Sequence, residues 1–139
     1  MVLNNSCSCI FKLFVFLAAL ENGWSPYDFM IDEPIMVDKW QPKNYHENFL
    51  GYMTIRRAFA ESINTIAVRL SEFIGRNKVL EMARRLGISS RLHNHPSVAL
   101  GTSDVNLLEI TQAFAHLGSM GKKVRAYGIT EILTKTGES

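Results

Sequence analysis

Cys9 and Lys12 supply a nucleophilic sulfur and an amine, with the lysine three positions after the cysteine. On a helix that spacing puts both on one face, a turn apart. Their surroundings are apolar. From Ile10 to Leu20 the chain reads Ile-Phe-Lys-Leu-Phe-Val-Phe-Leu-Ala-Ala-Leu, and Lys12 is its only charged side chain. A helix apolar on every face reads as one buried in a larger core. Desolvating an ammonium is costly, so burial lowers a lysine pKa, and a neutral amine beside a thiol can take its proton. The plainer reading of the spacing is that Lys12 lies near the helix end and snorkels to water.

The elements that must position these residues follow in order. Asn22-Gly23 closes the first helix, with glycine free to take the left-handed cap conformation. Trp24 to Gly51 has no helical period and contains Pro26, Pro34 and Pro42. It reads as a long aromatic-rich excursion, with extended pieces such as Glu33-Pro34-Ile35-Met36-Val37 and at most a short strand. Loops of that length often wall a cleft. Thr54 caps a predicted helix over about 55–61, Ser62-Ile63-Asn64-Thr65 breaks it, and a second helix runs over about 66–74. By residue type alone the tetrapeptide is a helix–helix junction.

Gly75 ends that helix. Asn77 is expected to cap the next, over 78–86, which stops at Gly87. Its apolar face holds Val79, Leu80, Met82, Ala83 and Leu86, with Arg84 and Arg85 outside. Irregular chain from Ile88 to Pro96 leads to Ser97-Val98-Ala99-Leu100-Gly101. Ser103 or Asp104 then caps a helix over about 105–117, with Leu107, Leu108, Ile110, Phe114 and Leu117 inward. The alternation from Val124 to Leu133 reads as a strand, followed by a turn-like tail. The fold class is α+β, rich in helix with a few strands that come late.

At 139 residues the chain is one domain at most, or part of one. Its apolar fraction of 47% and charged fraction of 20% suit a globular protein. A net charge of +2 is too small for a nucleic-acid footprint, and Lys122-Lys123-Val124-Arg125 reads as the solvated start of a strand. Cys7 and Cys9, one serine apart, make no disulfide framework. The first apolar run has the length of a signal segment and is too short to span a bilayer. Lys12 interrupts it and no small-x-small cleavage site follows, so it reads as a core helix whose preceding chain is absent.

Taken together, the motifs become specific. A nucleophile-x-x-Lys on a buried helix, followed 53 residues after position 9 by Ser62-x-Asn64, resembles the penicillin-binding transpeptidases and serine β-lactamases. Further landmarks resemble the class A, bifunctional penicillin-binding proteins. They are Asp32-Glu33-Pro34-Ile35, Trp40-x-Pro42-Lys43-Asn44-Tyr45, Ser62 to Leu70, Ala83 to Ile88, Pro96 to Gly101 and Leu108-Glu109-Ile110-Thr111. The likeness runs from about Cys9 to Ser139.

The resemblance implies a partial penicillin-binding transpeptidase fold covering mainly its helical side. The glycosyltransferase module, membrane anchor and C-terminal cleft strand would be lacking. It implies a peptidoglycan D,D-transpeptidase that cross-links stem peptides through an acyl-enzyme. Partners would be D-Ala-D-Ala stem peptides and β-lactams, and a complementary chain could supply the missing sheet. No cofactor, metal or nucleic acid is implied. The location would be the outer face of the inner membrane, in the periplasm. By position, Cys9 stands at the nucleophile, Lys12 is its proton acceptor, Ser62 relays protons to the leaving amine, and Asn64 hydrogen-bonds the substrate peptide.

Departures accompany the likeness. The family nucleophile is serine, where this chain has Cys9, and Cys7-Ser8 replaces the usual Pro-Gly before it. Ser6 and Ser8 have the wrong spacing to Lys12. A thiol at a helix N-terminus near a lysine would have a lowered pKa and would form a thioester. Lys135-Thr136-Gly137 matches the family's third motif but comes too early, and is read as a hairpin turn. Two alternatives follow: an inactive truncated remnant without chemistry, and a small zinc module using Cys7, Cys9, His93 and His95. His46 and His116 read as structural.

Overall fold

The computed structural model describes residues 8–46, 48–125 and 127, and of Ser8 and Cys9 the backbone alone. The first helix, α1, spans Ser8–Glu21. Its wall-to-wall apolar sequence buries Phe11, Phe14, Val15, Phe16, Ala18 and Ala19, and with them Lys12. Every face of α1 needs a neighbour, and the core grows around it. The helix ends as the sequence suggests. Gly23 sits at φ +95°. The Trp24 N–H donates to Ala19 O at 3.1 Å and that of Gly23 to Leu20 O at 3.2 Å. These paired bonds close the last turn.

Strands β1, Phe29–Asp32, and β2, Gly51–Thr54, pair antiparallel with Met30 opposite Met53 and Asp32 opposite Gly51. Met30, Asp32 and Met53 face inward. The extended stretch expected at Glu33–Val37 therefore lies upstream, and β2 is an addition to the sequence reading. Val37 instead bridges to Trp40. Asp38 and Lys39 between them have φ values of 49° and 66°, the two left-handed residues of a tight hairpin turn.

Helix α2, Ile55–Ala60, begins as expected at Thr54, whose hydroxyl accepts from the Arg57 N–H. Helix α3 spans Asn64–Ile74, two residues earlier than the sequence reading placed it. Helix α4, Arg76–Arg85, starts from Gly75 and not from Asn77. Its buried face of Val79, Met82 and Ala83 is the one the spacing predicts. Helices α3 and α4, with a 3-10 helix over Pro96–Leu100, close around α1. Gly87 needs to be glycine for its backbone: its φ is +103°, a conformation that L side chains rarely adopt.

Helix α5, Leu107–Gly118, corrects the expected inward face. Leu107, Leu108, Phe114 and Leu117 are exposed, while Glu109, Ile110, Ala113 and His116 are buried. Its cap is Asn106, not Ser103 or Asp104. The Asn106 side chain accepts from the Glu109 N–H, and the Glu109 carboxylate reaches back to the Asn106 N–H. Glu109 also accepts from the N–H groups of Ser89 and Ser90 at 2.9 Å and from both hydroxyls. Burial pushes its pKa up, but these Ser89 and Ser90 hydrogen bonds win and hold it at about 2. The strand expected over 124–133 and the Lys135–Gly137 turn lie almost wholly outside the described residues.

Candidate active site

Lys12 is 2% exposed and does not snorkel. Its Nζ donates to Ser62 Oγ at 2.7 Å and to the Ser62 main-chain carbonyl at 2.5 Å. Position 9 lies one turn earlier in α1, while its side chain, with Cys7, lies outside the described residues. Two of the four expected site residues are thus in direct contact across 50 positions of chain.

The local fold explains how Ser62 reaches Lys12. Its N–H donates to Phe59 O at 3.1 Å and that of Ile63 to Ala58 O at 3.0 Å, the closing bonds of α2. That closure demands a left-handed residue, usually glycine. Ser62 occupies it at φ +55°. A non-glycine residue there costs on the order of 1 kcal/mol, a strain typical of functional positions. The sharp turn also lets α3 begin at Asn64 immediately afterwards. Asn64 sits at the mouth of the same junction, its side-chain Nδ2 donating to Lys43 O at 2.6 Å.

Behind the junction lies a group that sequence reasoning quoted as a landmark but gave no role. Asp32 is 1% exposed, and its carboxylate accepts from Asn44 Nδ2 at 2.8 Å, from the Leu50 N–H at 2.8 Å and from the Thr65 hydroxyl. The only signal in the sequence was an aspartate and an asparagine flanking a proline-rich loop. In front, Asn44, Tyr45, His46, Leu50, Glu61 and Ser62 line a cleft of about 560 Å³. The junction is a wall of that cleft, so a substrate can reach it.

Apart from His46, which lines that cleft, the histidines lie elsewhere. His116 Nδ1 faces the Gln112 carbonyl at 2.8 Å, a satisfied structural group as expected. His95 Nδ1 meets Ser97 Oγ at 2.7 Å, next to the end of the 3-10 helix. Among the described residues no group of three or more His, Cys, Asp or Glu is placed to hold a metal ion. Nor is any helix among them long and apolar enough to cross a membrane.

A sequence profile described as the penicillin binding protein transpeptidase domain matches residues 8–137. The chain belongs to that family. Penicillin-binding protein 1A of Rickettsia typhi is 38% identical over 133 residues, which cover 91% of this chain and 17% of that protein. The chain therefore spans about a sixth of the length of such relatives. Penicillin-binding protein 1A of Haemophilus influenzae superposes with a TM-score of 0.87 and 29% identity, covering 99% of this chain and 21% of that one. The PonA1 protein of Mycobacterium tuberculosis in complex with penicillin V superposes at a TM-score of 0.85 and 22% identity, over 99% and 40% of the two chains. At that identity the likeness is one of fold. The penicillin-binding transpeptidase fold, the α+β class and the class A likeness read from the sequence all stand. The described residues present mainly its helical side, with one two-stranded sheet.

Proposed function

We propose that this chain carries the acylating half of a peptidoglycan D,D-transpeptidase site. The observation that supports it most directly is the buried Lys12 Nζ at 2.7 Å from Ser62 Oγ. In this reading the Cys9 thiol loses its proton to the Lys12 amine and attacks the carbonyl of a D-Ala-D-Ala stem peptide. A thioester forms and the carbon–nitrogen bond breaks. The departing D-alanine nitrogen takes the proton from Lys12 through the Ser62 hydroxyl. Asn64, beside the cleft, hydrogen-bonds the stem-peptide backbone. An acceptor amine then attacks the thioester, its proton returning through Ser62, and regenerates the thiol. A β-lactam enters the same first step, its strained ring amide replacing the peptide bond.

The described residues hold the helical side of the site. The cleft strand that completes it comes from outside them, either along the same polypeptide or from a complementary chain. The working location is the outer face of the inner membrane. A second reading, a remnant without chemistry, is favoured by one feature: cysteine stands where the resemblance implies serine.

Intact mass after incubation with a penicillin separates the two. An adduct that maps to Cys9, is cleaved by neutral hydroxylamine as a thioester should be, and vanishes in Cys9→Ala supports the enzyme. An adduct on Ser8 moves the nucleophile. No adduct at any penicillin concentration leaves the remnant reading.

A further inference from the structure

Helix α3 begins without a cap of its own. The first N–H groups of a helix need acceptors, and Ile63, at the capping position, has no side chain to offer. The acceptor comes from the loop 20 residues upstream. Asn44 Oδ1 accepts from the Asn64 N–H at 3.0 Å and from the Thr65 N–H at 3.2 Å. An amide has a donating end and an accepting end, and which end faces α3 is decided by what holds the other. Asp32, acceptor to Asn44 Nδ2, holds it. The Thr65 hydroxyl, donating to the same carboxylate, closes the ring.

We propose that Asn44, oriented by Asp32, is a positioning residue for the Lys12–Ser62–Asn64 constellation. Ser62 is the left-handed last link of α2, and two residues later α3 starts. The peptide between them is fixed on one side by α2 and the Lys12 contacts to Ser62, and on the other by this borrowed cap together with the Asn64 Nδ2 bond to Lys43 O. Loss of the cap frays the first turn of α3, which carries Asn64, and frees Ser62 from the geometry that meets Lys12. The inference rests on the transpeptidase reading for its effect on rate. Its effect on the junction does not depend on that reading.

The network makes an unusual demand that plain capping would not. Aspartate caps helices as well as asparagine does. Asn44→Asp would nonetheless set two carboxylates against each other and remove the donor to Asp32. Asp32→Asn alone removes the charge that orients the amide. The double exchange, Asp32→Asn with Asn44→Asp, restores the network with only its side-chain bonds reversed. The residue 32 amide nitrogen donates to residue 44 and to the Thr65 hydroxyl, its oxygen still accepts from the Leu50 N–H, and residue 44 still accepts from the N–H groups of Asn64 and Thr65.

The test is a four-member cycle on the full chain, read by amide hydrogen exchange and by the rate of penicillin acylation. Each single exchange is expected to speed exchange at Asn64 and Thr65 about tenfold while the core amides of α4 stay unchanged. Each should also slow the acylation step by at least about tenfold with little effect on penicillin binding. The double exchange should return both readings to within about threefold of the parent. Asn44→Asp with unchanged exchange at residues 64 and 65, or a double exchange no better than the worse single, overturns the proposal. If the parent chain takes up no penicillin, the transpeptidase reading fails, and the exchange rates still decide whether Asn44 positions the junction.

Discussion

The Lys12 amine meets both oxygens of Ser62, the hydroxyl at 2.7 Å and the carbonyl at 2.5 Å, inside a core that leaves Lys12 2% exposed. One side chain thereby ties the central helix to the turn between α2 and α3. The carbonyl contact holds the turn's backbone and the hydroxyl contact provides a path for a proton. A structural and a chemical role converge on the same pair.

Lys12→Met removes both roles at once. It keeps the length of the side chain but leaves both Ser62 oxygens without their donor, so the thermal midpoint should fall, by the equivalent of about 1–3 kcal/mol. Acylation by penicillin should fall by roughly a hundredfold to ten-thousandfold, the span of a lost general base. Intact mass against time and a melting curve on the same sample check both halves.

Ser62 pays for its position in backbone strain. Ser62→Gly relieves the left-handed conformation while Ser62→Ala keeps it, and both remove the hydroxyl. The glycine variant should be more stable than the alanine variant by about 1 kcal/mol in urea unfolding, with both slow to acylate. Equal stabilities would mean that the turn relaxes.

Glu109 sets an acid limit. Its folded pKa is held at about 2 against an ordinary 4.5. A carboxylate depressed on folding contributes stability in full above its unfolded value, and that contribution is lost as pH falls through the folded one. Glu109→Gln should cost on the order of 2 kcal/mol near neutral pH, with the gap narrowing steadily below about pH 4. Urea midpoints across that range give the slope.

The outer face of α5 presents Leu107, Leu108 and Phe114 to solvent, each more than 40% exposed. An apolar stripe of this kind promotes association. Leu108→Lys with Phe114→Lys should raise the monomer fraction in size-exclusion chromatography and leave the circular-dichroism spectrum unchanged. Collapse of the helix signal would show that the stripe is internal after all.

What the sequence determined alone was local. The burial of α1 follows from an unbroken apolar run, and the stops at Gly23, Gly75 and Gly87 follow from glycine's freedom at positive φ. Thr54 announced α2 because a capping bond spans three residues. The Asn106–Glu109 capping box was equally local and was legible, though Ser103 and Asp104 drew the reading away from it. The cysteine–lysine spacing and Ser62-x-Asn64 carried the family. Tertiary structure decided the rest. Whether Lys12 reaches water depends on which helices close over α1, and its contact with Ser62 spans 50 positions. The start of α3 could not be read locally, because its cap is Asn44 from a distant loop. The inward face of α5 is set by the grip of Ser89 and Ser90 on Glu109, against the pull of its leucines. Periodicity and caps act over one helical turn. Partners for a buried charge, a borrowed cap or an anchored carboxylate exist only once the chain has folded back on itself.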